Sequence, residues 1–431
     1  MRYALINPPW SFRDSIYFGC KQPHLPLEYG YSKAILEEAG HSVLIIDAQL
    51  EQLSLDDIVL RLADFKPDFS VVTTAPSYLF WRCALPELRV PQETVLAIRD
   101  FAGTLVVVGP HASTTPIATV KKLGADVAVL GECEEILPLL AGGNWERIDS
   151  ICYADSGGIH RQGSPHASDM TAVPALTWPA RLIEHHHHHH HRFDAEPAGY
   201  GAEVEFSRGC PYRCSFCAKD NFRDSYRKRP LATVLREIDA LLEQGVEYIY
   251  FVDETFVPNR PLLTQLRDRK VKFGIQTRID LWKPDMLDLL GAAGCVSIEA
   301  GIESITERGR DALVKDCRMS SDQLAERLIY AKLHVPFVQA NLPECQADDP
   351  VEIEAWREHV IASGVWANKP VPLFPYPGSP EYTRKWGLPD ESAWERAVDY
   401  YLQTFSEFSD IQEARPARLE DLEIDCTSRQ I

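Results

Sequence analysis

Three cysteines within eight residues form the stretch of this sequence best suited to chemistry. Cys210, Cys214 and Cys217 have Cys-x3-Cys-x2-Cys spacing, and the alternating run 202–206 before them predicts a strand. Three thiolates in one loop can hold one face of a 4Fe–4S cluster. Because such a cluster normally takes four cysteines, one iron would stay open to an outside ligand. A zinc knuckle or three ordinary buried thiols are the alternatives, although zinc sites usually pair two Cys-x2-Cys units.

The cysteine spacing resembles the signature of the radical S-adenosylmethionine (SAM) superfamily. That signature has an aromatic residue before the last cysteine, and Phe216 stands there in this sequence. The resemblance implies that Cys210, Cys214 and Cys217 ligate the cluster and that the open iron binds the amino and carboxylate groups of SAM. It implies that the reduced cluster cleaves SAM to methionine and a 5′-deoxyadenosyl radical, with Phe216 packed against SAM. An electron donor such as flavodoxin or ferredoxin is the implied partner.

The elements that carry this loop are predicted from the strand and helix patterns around it. Between residues 201 and 380 apolar runs alternate six times with helical patterns, and helix 231–244 has Val234, Ile238 and Leu241 on one stripe. Six β/α units predict a partial (β/α)6 barrel of the TIM type, in which sites lie at the carboxyl ends of the strands. The predicted strands are 204–206, 248–252, 273–276, 296–299, 337–340 and 371–374.

Polar side chains follow these strands, and their types and order are similar to those of the superfamily's SAM site. The resemblance implies that Asp253 and Glu254 hold the SAM amino group and that Arg278 faces its carboxylate, for which a planar two-pronged donor is well suited. It also implies that 299–304 contacts the ribose and the methionine end. The fifth strand departs from the pattern because 338–343 has no glycine, so contacts to adenine are left open. Each residue taken alone could instead be a salt bridge or a strand-end cap. The implied SAM-binding residues are Phe216, Asp253, Glu254, Arg278, Glu299, Gly301, Glu303, Ser304 and Tyr376.

The first 143 residues predict a separate doubly wound domain. Five apolar runs, at 3–6, 42–46, 69–73, 105–108 and 127–130, alternate with helical patterns. This order implies a parallel, Rossmann-like (flavodoxin-like) sheet whose ligand lies beyond the carboxyl ends of the strands. The loops there resemble those of the cobalamin-binding domain of class B radical SAM methyltransferases. The residues implied for cobalamin are Pro8, Pro9, Trp10, Leu27, Tyr29, Thr73, Thr74, Gly109, Pro110, His111, Gly131 and Glu132.

One motif of other cobalamin proteins is absent from this domain. The sequence has no Asp-x-His-x-x-Gly motif to supply an axial histidine, so cobalamin would bind without a histidine lower ligand. His111 is the histidine in these loops, and we expect it to cap its strand end and not to ligate cobalt. The alternative is a Rossmann-like domain whose cofactor site has decayed.

Two further segments complete the predicted organisation. The connector 144–200 is rich in Gly, Pro and Ser, has a possible small hairpin at 149–160 and contains seven consecutive histidines, His185 to His191. We expect a solvated linker there and keep metal binding by the imidazoles as a hypothesis. The extension 381–431 is predicted to be helical around 392–405 and to pack across the barrel. Buried structural thiols are predicted at Cys295, Cys317, Cys345 and Cys426.

Composition narrows the class of protein. With 431 residues and a net charge of −19, the chain is long enough for two or three folded domains and too acidic for sequence-independent nucleic-acid binding. No window approaches the roughly 20 apolar residues of a membrane span, and the N-terminus lacks a signal-peptide layout. Eleven cysteines without an export signal indicate reduced thiols. We therefore expect a cytoplasmic protein without nucleic-acid or membrane partners.

The combined prediction is an α/β radical SAM enzyme with a 4Fe–4S cluster, SAM and cobalamin as cofactors. The resemblance implies that methylcobalamin delivers a methyl group to a substrate radical, so methyl transfer to an unactivated carbon of a small molecule is the expected reaction. Cyclisation, rearrangement or epimerisation on the same scaffold, with or without cobalamin, is the nearer alternative. A non-catalytic zinc protein that uses the cysteines and the histidine tract is the more distant one.

Overall fold

The first sheet lies in the N-terminal part of the chain. The computed structural model describes residues 1–17, 19, 21–76, 84–186, 199–219, 225–405 and 415–424. The strands of the first sheet are β1 (Arg2–Asn7), β2 (Ser42–Asp47), β3 (Phe69–Thr73), β4 (Thr104–Val108), β5 (Val127–Val129), β6 (Ile151–Asp155) and β7 (Gly158–Gln162). Within the described ranges they pair in the order β2-β1-β3-β4-β5-β6-β7.

The first five strands form the predicted flavodoxin-like arrangement. All their pairings are parallel, and the chain reverses its direction of winding between β1 and β3, where ligands of such sheets bind beyond the carboxyl ends. The hairpin predicted at 149–160 forms as β6 and β7 and pairs antiparallel with β5. The first sheet therefore continues past residue 143, into the segment predicted to be a connector.

Helices cover this sheet as the apolar periodicity predicts. In α2, for example, Ser54 and Asp57 form a capping box at the start, and Ile58 and Leu62, one turn apart, are buried against the sheet. A short helix at Pro110–Thr114, directly after β4, was not foreseen. The helices are α1 (Leu27–Glu38), α2 (Leu55–Phe65), α3 (Arg89–Ile98), α4 (Pro110–Thr114), α5 (Pro116–Leu123), α6 (Leu137–Leu140) and α7 (Ala180–His185), with 3-10 turns at Arg99–Phe101 and Trp145–Arg147.

The second sheet is an open, all-parallel sheet, which fits the predicted partial barrel. A two-stranded antiparallel ribbon of β9 (Ser207–Arg208) and β10 (Arg227–Lys228) stands beside it. The main strands are β8 (Tyr200–Val204), β11 (Val246–Phe251), β12 (Lys272–Thr277), β13 (Cys295–Gly301), β14 (Phe337–Asn341) and β15 (Trp366–Ala367). In the part of the chain that the structure describes, these six strands lie in sequence order across the sheet.

Two predicted strand positions in this sheet are wrong. The first strand ends at Val204, and the chain then turns so that 207–208 pairs with β10, whereas the sequence pattern placed the strand at 204–206. The sixth strand is 366–367 and not 371–374. Because Pro370 and Pro372 have no backbone N–H to donate, the later segment makes only an isolated bridge from Val371 to Pro343.

The remaining helices surround the second sheet and cover the junction between the two sheets. As predicted, Val234, Ile238 and Leu241 are the buried stripe of the first of them. The helices are α8 (Leu231–Glu243), α9 (Arg260–Arg269), α10 (Pro284–Ala292), α11 (Glu307–Ala312), α12 (Ser321–His334), α13 (Pro350–Ala362), α14 (Pro380–Trp386), α15 (Ala393–Thr404) and α16 (Leu419–Leu422), with a 3-10 turn at Ile279–Leu281.

The C-terminal extension contacts both sheets. Trp394 and Tyr401 of α15 share one apolar cluster with Ala75, which follows β3, and with Phe374 from the barrel side. The predicted helix at 392–405 is thus present, and it packs against the first domain as well as the barrel. Residues 406–414 and 425–431 of the extension, including Cys426, lie outside the described residues. No helix among those described is both long and apolar enough to cross a bilayer.

Candidate active site

The cysteine loop (residues 209–217) follows β9 at the carboxyl edge of the second sheet. Cys210, Cys214 and Cys217 are free thiols, and the Cys217 N–H donates to the Cys214 carbonyl at 3.2 Å, which turns the loop back on itself. Burial raises the pKa of Cys214, and it raises that of Cys217 to about 12. A thiol in such surroundings keeps its proton unless a cation offsets the thiolate charge. Three reduced thiols that require a cation are a donor set that fits an iron–sulfur cluster.

Two carboxylates after β11 fix the beginning of this loop. Asp253 accepts hydrogen bonds from the N–H groups of Phe206 at 2.9 Å and Ser207 at 2.8 Å, and also from the Ser207 hydroxyl. Glu254 accepts from the Gly209 N–H at 2.8 Å. Burial raises the pKa of Asp253 to about 7. The structure therefore places both residues beside the cysteine loop as positioning groups, and their contact with SAM stays a prediction.

Arg278, at the end of β12, also lies against the cysteine loop. Its guanidinium carbon is 3.7 Å from the centroid of the Tyr212 ring, and its Nη2 is 2.8 Å from Asp280 Oδ2. Its Nη1 donates to the Lys315 carbonyl at 2.6 Å. These contacts hold the guanidinium in place close to Cys214, whose raised pKa it opposes electrostatically. Contact with a SAM carboxylate stays a prediction for this residue.

The residues predicted after β13 separate into two groups. Glu303 has a left-handed backbone (φ 66°) and pairs with Lys315 Nζ at 2.9 Å, and both residues act electrostatically on Cys214. Ser304 is fully buried and instead donates to Asp348 at 2.7 Å.

Glu299 and Gly301 belong to β13 itself, in register with Gln339 and Asn341 of β14. Tyr376 packs edge-on against Phe374, with ring centroids 4.8 Å apart, in the aromatic cluster under α15.

Lys315 is a member of this site that the sequence did not reveal. It is 3% exposed and stands between Val314 and Asp316, both of which have positive φ angles. Neither residue is a glycine, so the residue types did not indicate the positive φ angles in this turn. The turn places the lysine side chain beside Glu303. The cysteine loop is tied to the same turn, because the Ser215 N–H donates to the Leu313 carbonyl at 2.9 Å.

The predicted cobalamin residues lie at the carboxyl edge of the first sheet. Several of them use their side-chain hydroxyl groups for hydrogen bonds to the backbone. Thr73 donates to the Ala75 carbonyl, Thr74 to the Val108 carbonyl and Tyr29 to the Ile6 carbonyl, at 2.9 to 3.0 Å. Trp10 donates to Asn7 Oδ1 at 2.7 Å. These hydrogen bonds hold the loops at the carboxyl edge of the first sheet in place. The other predicted residues at this edge are Pro8, Pro9, Leu27, Gly109, Pro110, His111, Gly131 and Glu132.

Gly131 and His111 both pack against neighbouring segments at this edge of the first sheet. A Cβ on Gly131 would lie 2.3 Å from the His166 carbonyl oxygen, so only glycine allows the bridge between these two residues. The His111 Nε2 is 2.8 Å from the Leu85 carbonyl, and its ring stacks on Trp394 at 4.1 Å. Burial lowers the pKa of His111 to about 3, so its ring is neutral. Cobalamin contact by either residue stays a prediction.

A buried ion network joins the two edges. Arg208, directly before the cysteine loop, donates to Glu132 at 2.8 Å and Glu134 at 2.6 Å, both from the loop after β5, and to Glu205 at 2.7 Å. Arg227 of β10 donates to the Glu132 carboxylate as well. The predicted cobalamin residue Glu132 is thereby bound to the segment that leads into the cysteine loop. Arg208 was not predicted as a site residue.

The predicted structural thiols and the histidine tract are only partly described. Cys295 and Cys317 are buried as expected, whereas Cys345 is partly exposed, so the prediction is wrong for Cys345. Of the histidine tract, His185 is exposed at the end of α7 and His186 is fully buried. The five histidines at 187–191 lie outside the described residues.

Two family models match the chain: the B12 binding domain over residues 20–141 and the Radical SAM superfamily over residues 204–336. The chain is 25% identical over 324 residues to an uncharacterized methyltransferase of Pyrococcus horikoshii, covering 72% of this chain and 66% of that protein. It is 27% identical over 358 residues to the anaerobic magnesium-protoporphyrin IX monomethyl ester cyclase of Cereibacter sphaeroides, covering 76% of this chain and 55% of the cyclase. The chain thus spans less than two thirds of the length of these relatives.

Two solved structures of the radical SAM methyltransferase TsrM from Kitasatospora setae share the fold. They align with TM-scores of 0.68 and 0.69 at 18% identity and cover 88% and 89% of this chain and 76% of TsrM. One contains cobalamin and a [4Fe–4S] cluster, and the other contains a tryptophan substrate and the SAM analogue aza-SAM. The shared fold includes both the first sheet and the partial barrel.

Proposed function

Because this chain belongs to the radical SAM superfamily and carries a B12-binding domain before its barrel, we propose that it is a cobalamin-dependent radical SAM methyltransferase. Its substrate is a small molecule, and the methyl group goes to an unactivated carbon. The observation that carries the proposal is the 2.8 Å contact between Arg208 and Glu132, since it brings the carboxyl edges of the two sheets together at the cysteine loop.

The proposed cofactors correspond to residues at these edges. Cys210, Cys214 and Cys217 would hold the 4Fe–4S cluster. Bound there, the reduced cluster supplies the electron that cleaves SAM, and cobalamin supplies the methyl group. The other predicted residues at the two edges would contact SAM and cobalamin, and the chain would receive its electrons from a donor such as flavodoxin or ferredoxin.

The chain's own residues position the loop and balance its charge. Asp253 and Glu254 hold the backbone at the start of the cysteine loop, so the thiols are oriented before any ligand arrives. Lys315 and Arg278 place two cations near Cys214, which offsets negative charge from bound thiolates. The Arg208 network excludes water from the junction, because its carboxylates are at most 2% exposed.

A second reaction on the same scaffold is supported by one comparison. The likeness to the ester cyclase covers more of this chain than the likeness to the Pyrococcus methyltransferase, 76% against 72%. Cyclisation is therefore the second candidate, with the same cluster and the same cleavage of SAM. The two candidates share this cleavage and differ in the later steps, because methyl transfer would consume a second SAM as the source of the methyl group and cyclisation would not.

Anaerobic reconstitution with iron, sulfide and cobalamin tests the proposal. We expect about four irons and four sulfides per chain, retained cobalamin, and cleavage of SAM on reduction. With methyl-labelled SAM and a small-molecule extract, methyl transfer gives a product that is heavier by one methylene equivalent and carries the label. An unlabelled product with a new ring supports cyclisation instead. Bound zinc in place of iron, without cleavage of SAM, would overturn both candidates.

A further inference from the structure

Two histidines and a glutamate meet in the interior, away from the cysteine loop. His24, His186 and Glu203 are each at most 4% exposed, and one ligand atom from each lies within 4.8 Å of the others. Glu203 Oε1 is 2.5 Å from His24 Nδ1 and 3.1 Å from His186 Nε2. The three residues come from three segments: the loop before α1, the start of the histidine tract, and β8.

The spacing of these atoms suits a small divalent cation. Tetrahedral ligands about 2.0–2.1 Å from zinc are about 3.3 Å from one another. The 3.1 Å between Glu203 Oε1 and His186 Nε2 is close to this distance, whereas His24 Nδ1, 2.5 Å from Oε1, would move outward to admit the ion. The second carboxylate oxygen, Glu203 Oε2, accepts from the Leu25 N–H at 3.0 Å and is also 3.1 Å from His186 Nε2, so the Leu25 backbone holds the carboxylate between the two imidazoles. Two imidazoles and one carboxylate are a donor set that zinc and related transition-metal ions prefer.

The burial of two carboxylates in this region also favours a bound cation. Glu203 lies on the face of β8 opposite to Ala202 and Val204, and it is buried because His24, Leu25 and His186 cover it. Asp47, at the end of β2, is also fully buried and interacts electrostatically with His186.

Two buried carboxylates are costly without positive charge nearby. Asp47 Oδ1 accepts from Asn7 and from the Leu50 N–H, whereas Oδ2 has no hydrogen-bond partner among the described residues. A divalent cation bound between Glu203 and the two imidazoles would supply positive charge to both carboxylates.

We propose that His24, His186 and Glu203 bind one divalent transition-metal ion, of which Zn²⁺ is the representative. Helix α1 begins with the predicted cobalamin residue Leu27. The ion connects the loop before this helix to the first strand of the second sheet. It is a structural site, separate from the cysteine loop, and it gives the first described histidines of the tract different roles. His186 is a ligand, whereas His185 faces solvent and contacts the Arg181 carbonyl.

Zinc binding to the reconstituted holoenzyme tests this site, since its cysteines are then occupied by the cluster. Residues 187–191 are replaced by serine in the parent chain, so that the other imidazoles of the tract cannot contribute. After dialysis against a weak chelator, elemental analysis should find about one zinc per chain in this parent. The zinc should be lost in His186→Gln and kept in the matched control His185→Gln.

Thermal unfolding gives a second measurement, and its result on the parent chain does not depend on how well His186→Gln folds. Zinc should raise the unfolding midpoint of the parent chain, because an ion that binds only the folded state stabilises it, and it should not move the midpoint of His186→Gln. If His186→Gln retains its zinc, or if zinc leaves the parent's midpoint unchanged, the three residues form a hydrogen-bonded ion triad without a metal and the proposal is overturned.

Discussion

Arg208 Nη1 lies 2.8 Å from Glu132 Oε2, and this contact links the cysteine loop of the barrel to the loop after β5 in the first domain. The same guanidinium also binds Glu134 and Glu205, and all four side chains are at most 2% exposed. Arg227 adds a second cation to the three carboxylates. The relative position of the two predicted cofactor edges therefore depends on a buried, charged junction and not on apolar packing alone.

Replacing Arg208 with methionine should destabilise the protein strongly. The change leaves Glu132, Glu134 and Glu205 buried with too little positive charge, and removing one partner of a buried ion pair typically costs roughly 3–5 kcal/mol. Urea unfolding followed by circular dichroism should show a clearly lower midpoint. Arg267→Met is the control, because the pair of Arg267 with Asp268 is about half exposed and 3.6 Å apart. Equal midpoints for the two variants would contradict the role of the junction.

The sequence predicted both sheets because buried parallel strands are continuous apolar runs. Strands such as β3 (Phe69–Thr73) are buried throughout, and their alternation with amphipathic helices leaves few possible topologies. The clustering of polar residues at the carboxyl ends was predictable for the same reason. The sixth strand was misplaced because the apolar residues at 371–374 are interrupted by Pro372, and because β15 has only two residues.

The contacts that complete the site could not be predicted from local sequence. Arg208 and Glu132 are 76 residues apart, one in β9 and the other in the loop after β5, so no periodicity indicates that they pair. Lys315 depends on positive φ angles at Val314 and Asp316, which residue type does not signal. Asp253 was predicted from its place after β11, but its bonds to the backbone of Phe206 and Ser207 follow from how the chain turns after β8.

Asp253→Asn should lower iron loading. The amide places an N–H₂ group where a carboxylate oxygen now accepts from the backbone of Phe206 or Ser207, and an unsatisfied buried donor costs roughly 1–3 kcal/mol. Iron content after anaerobic reconstitution should fall severalfold. The exposed Asp285→Asn serves as the control, since Asp285 pairs with Arg260 at the surface. Full iron loading with weakened SAM binding would instead assign Asp253 to SAM.

Glu87→Gln should change the pH dependence of stability. Burial raises the pKa of Glu87 from 4.5 to about 7, and the carboxyl accepts from the Ser15 hydroxyl, a bond that glutamine can retain. A carboxyl whose folded pKa is raised stabilises the wild type fully below pH 4.5 and loses that contribution as the pH rises to about 7.

The free energy of unfolding of Glu87→Gln should therefore rise relative to that of the wild type between these pH values, by up to about 3 kcal/mol. Urea unfolding at a series of pH values measures the difference. The exposed Glu93→Gln on the neighbouring helix α3 removes a carboxylate from solvent and should follow the wild-type profile. A constant difference between Glu87→Gln and the wild type across this range would show that Glu87 is not held in its protonated form.

Cys214→Ala should abolish both iron loading and cleavage of SAM. Three thiolates are the minimum with which this loop can hold a 4Fe–4S cluster while leaving one iron for SAM, so two cannot anchor the cluster stably. Cys345→Ala is the matched control: Cys345 is also free and partly exposed, but it is outside the cysteine loop in the sequence and its thiol contacts the Gly309 carbonyl of α11. It should keep about four irons per chain and full activity. Undiminished iron in Cys214→Ala, or equal loss in both variants, would mean that the three cysteines do not form the cluster site, and the proposed chemistry would fail with it.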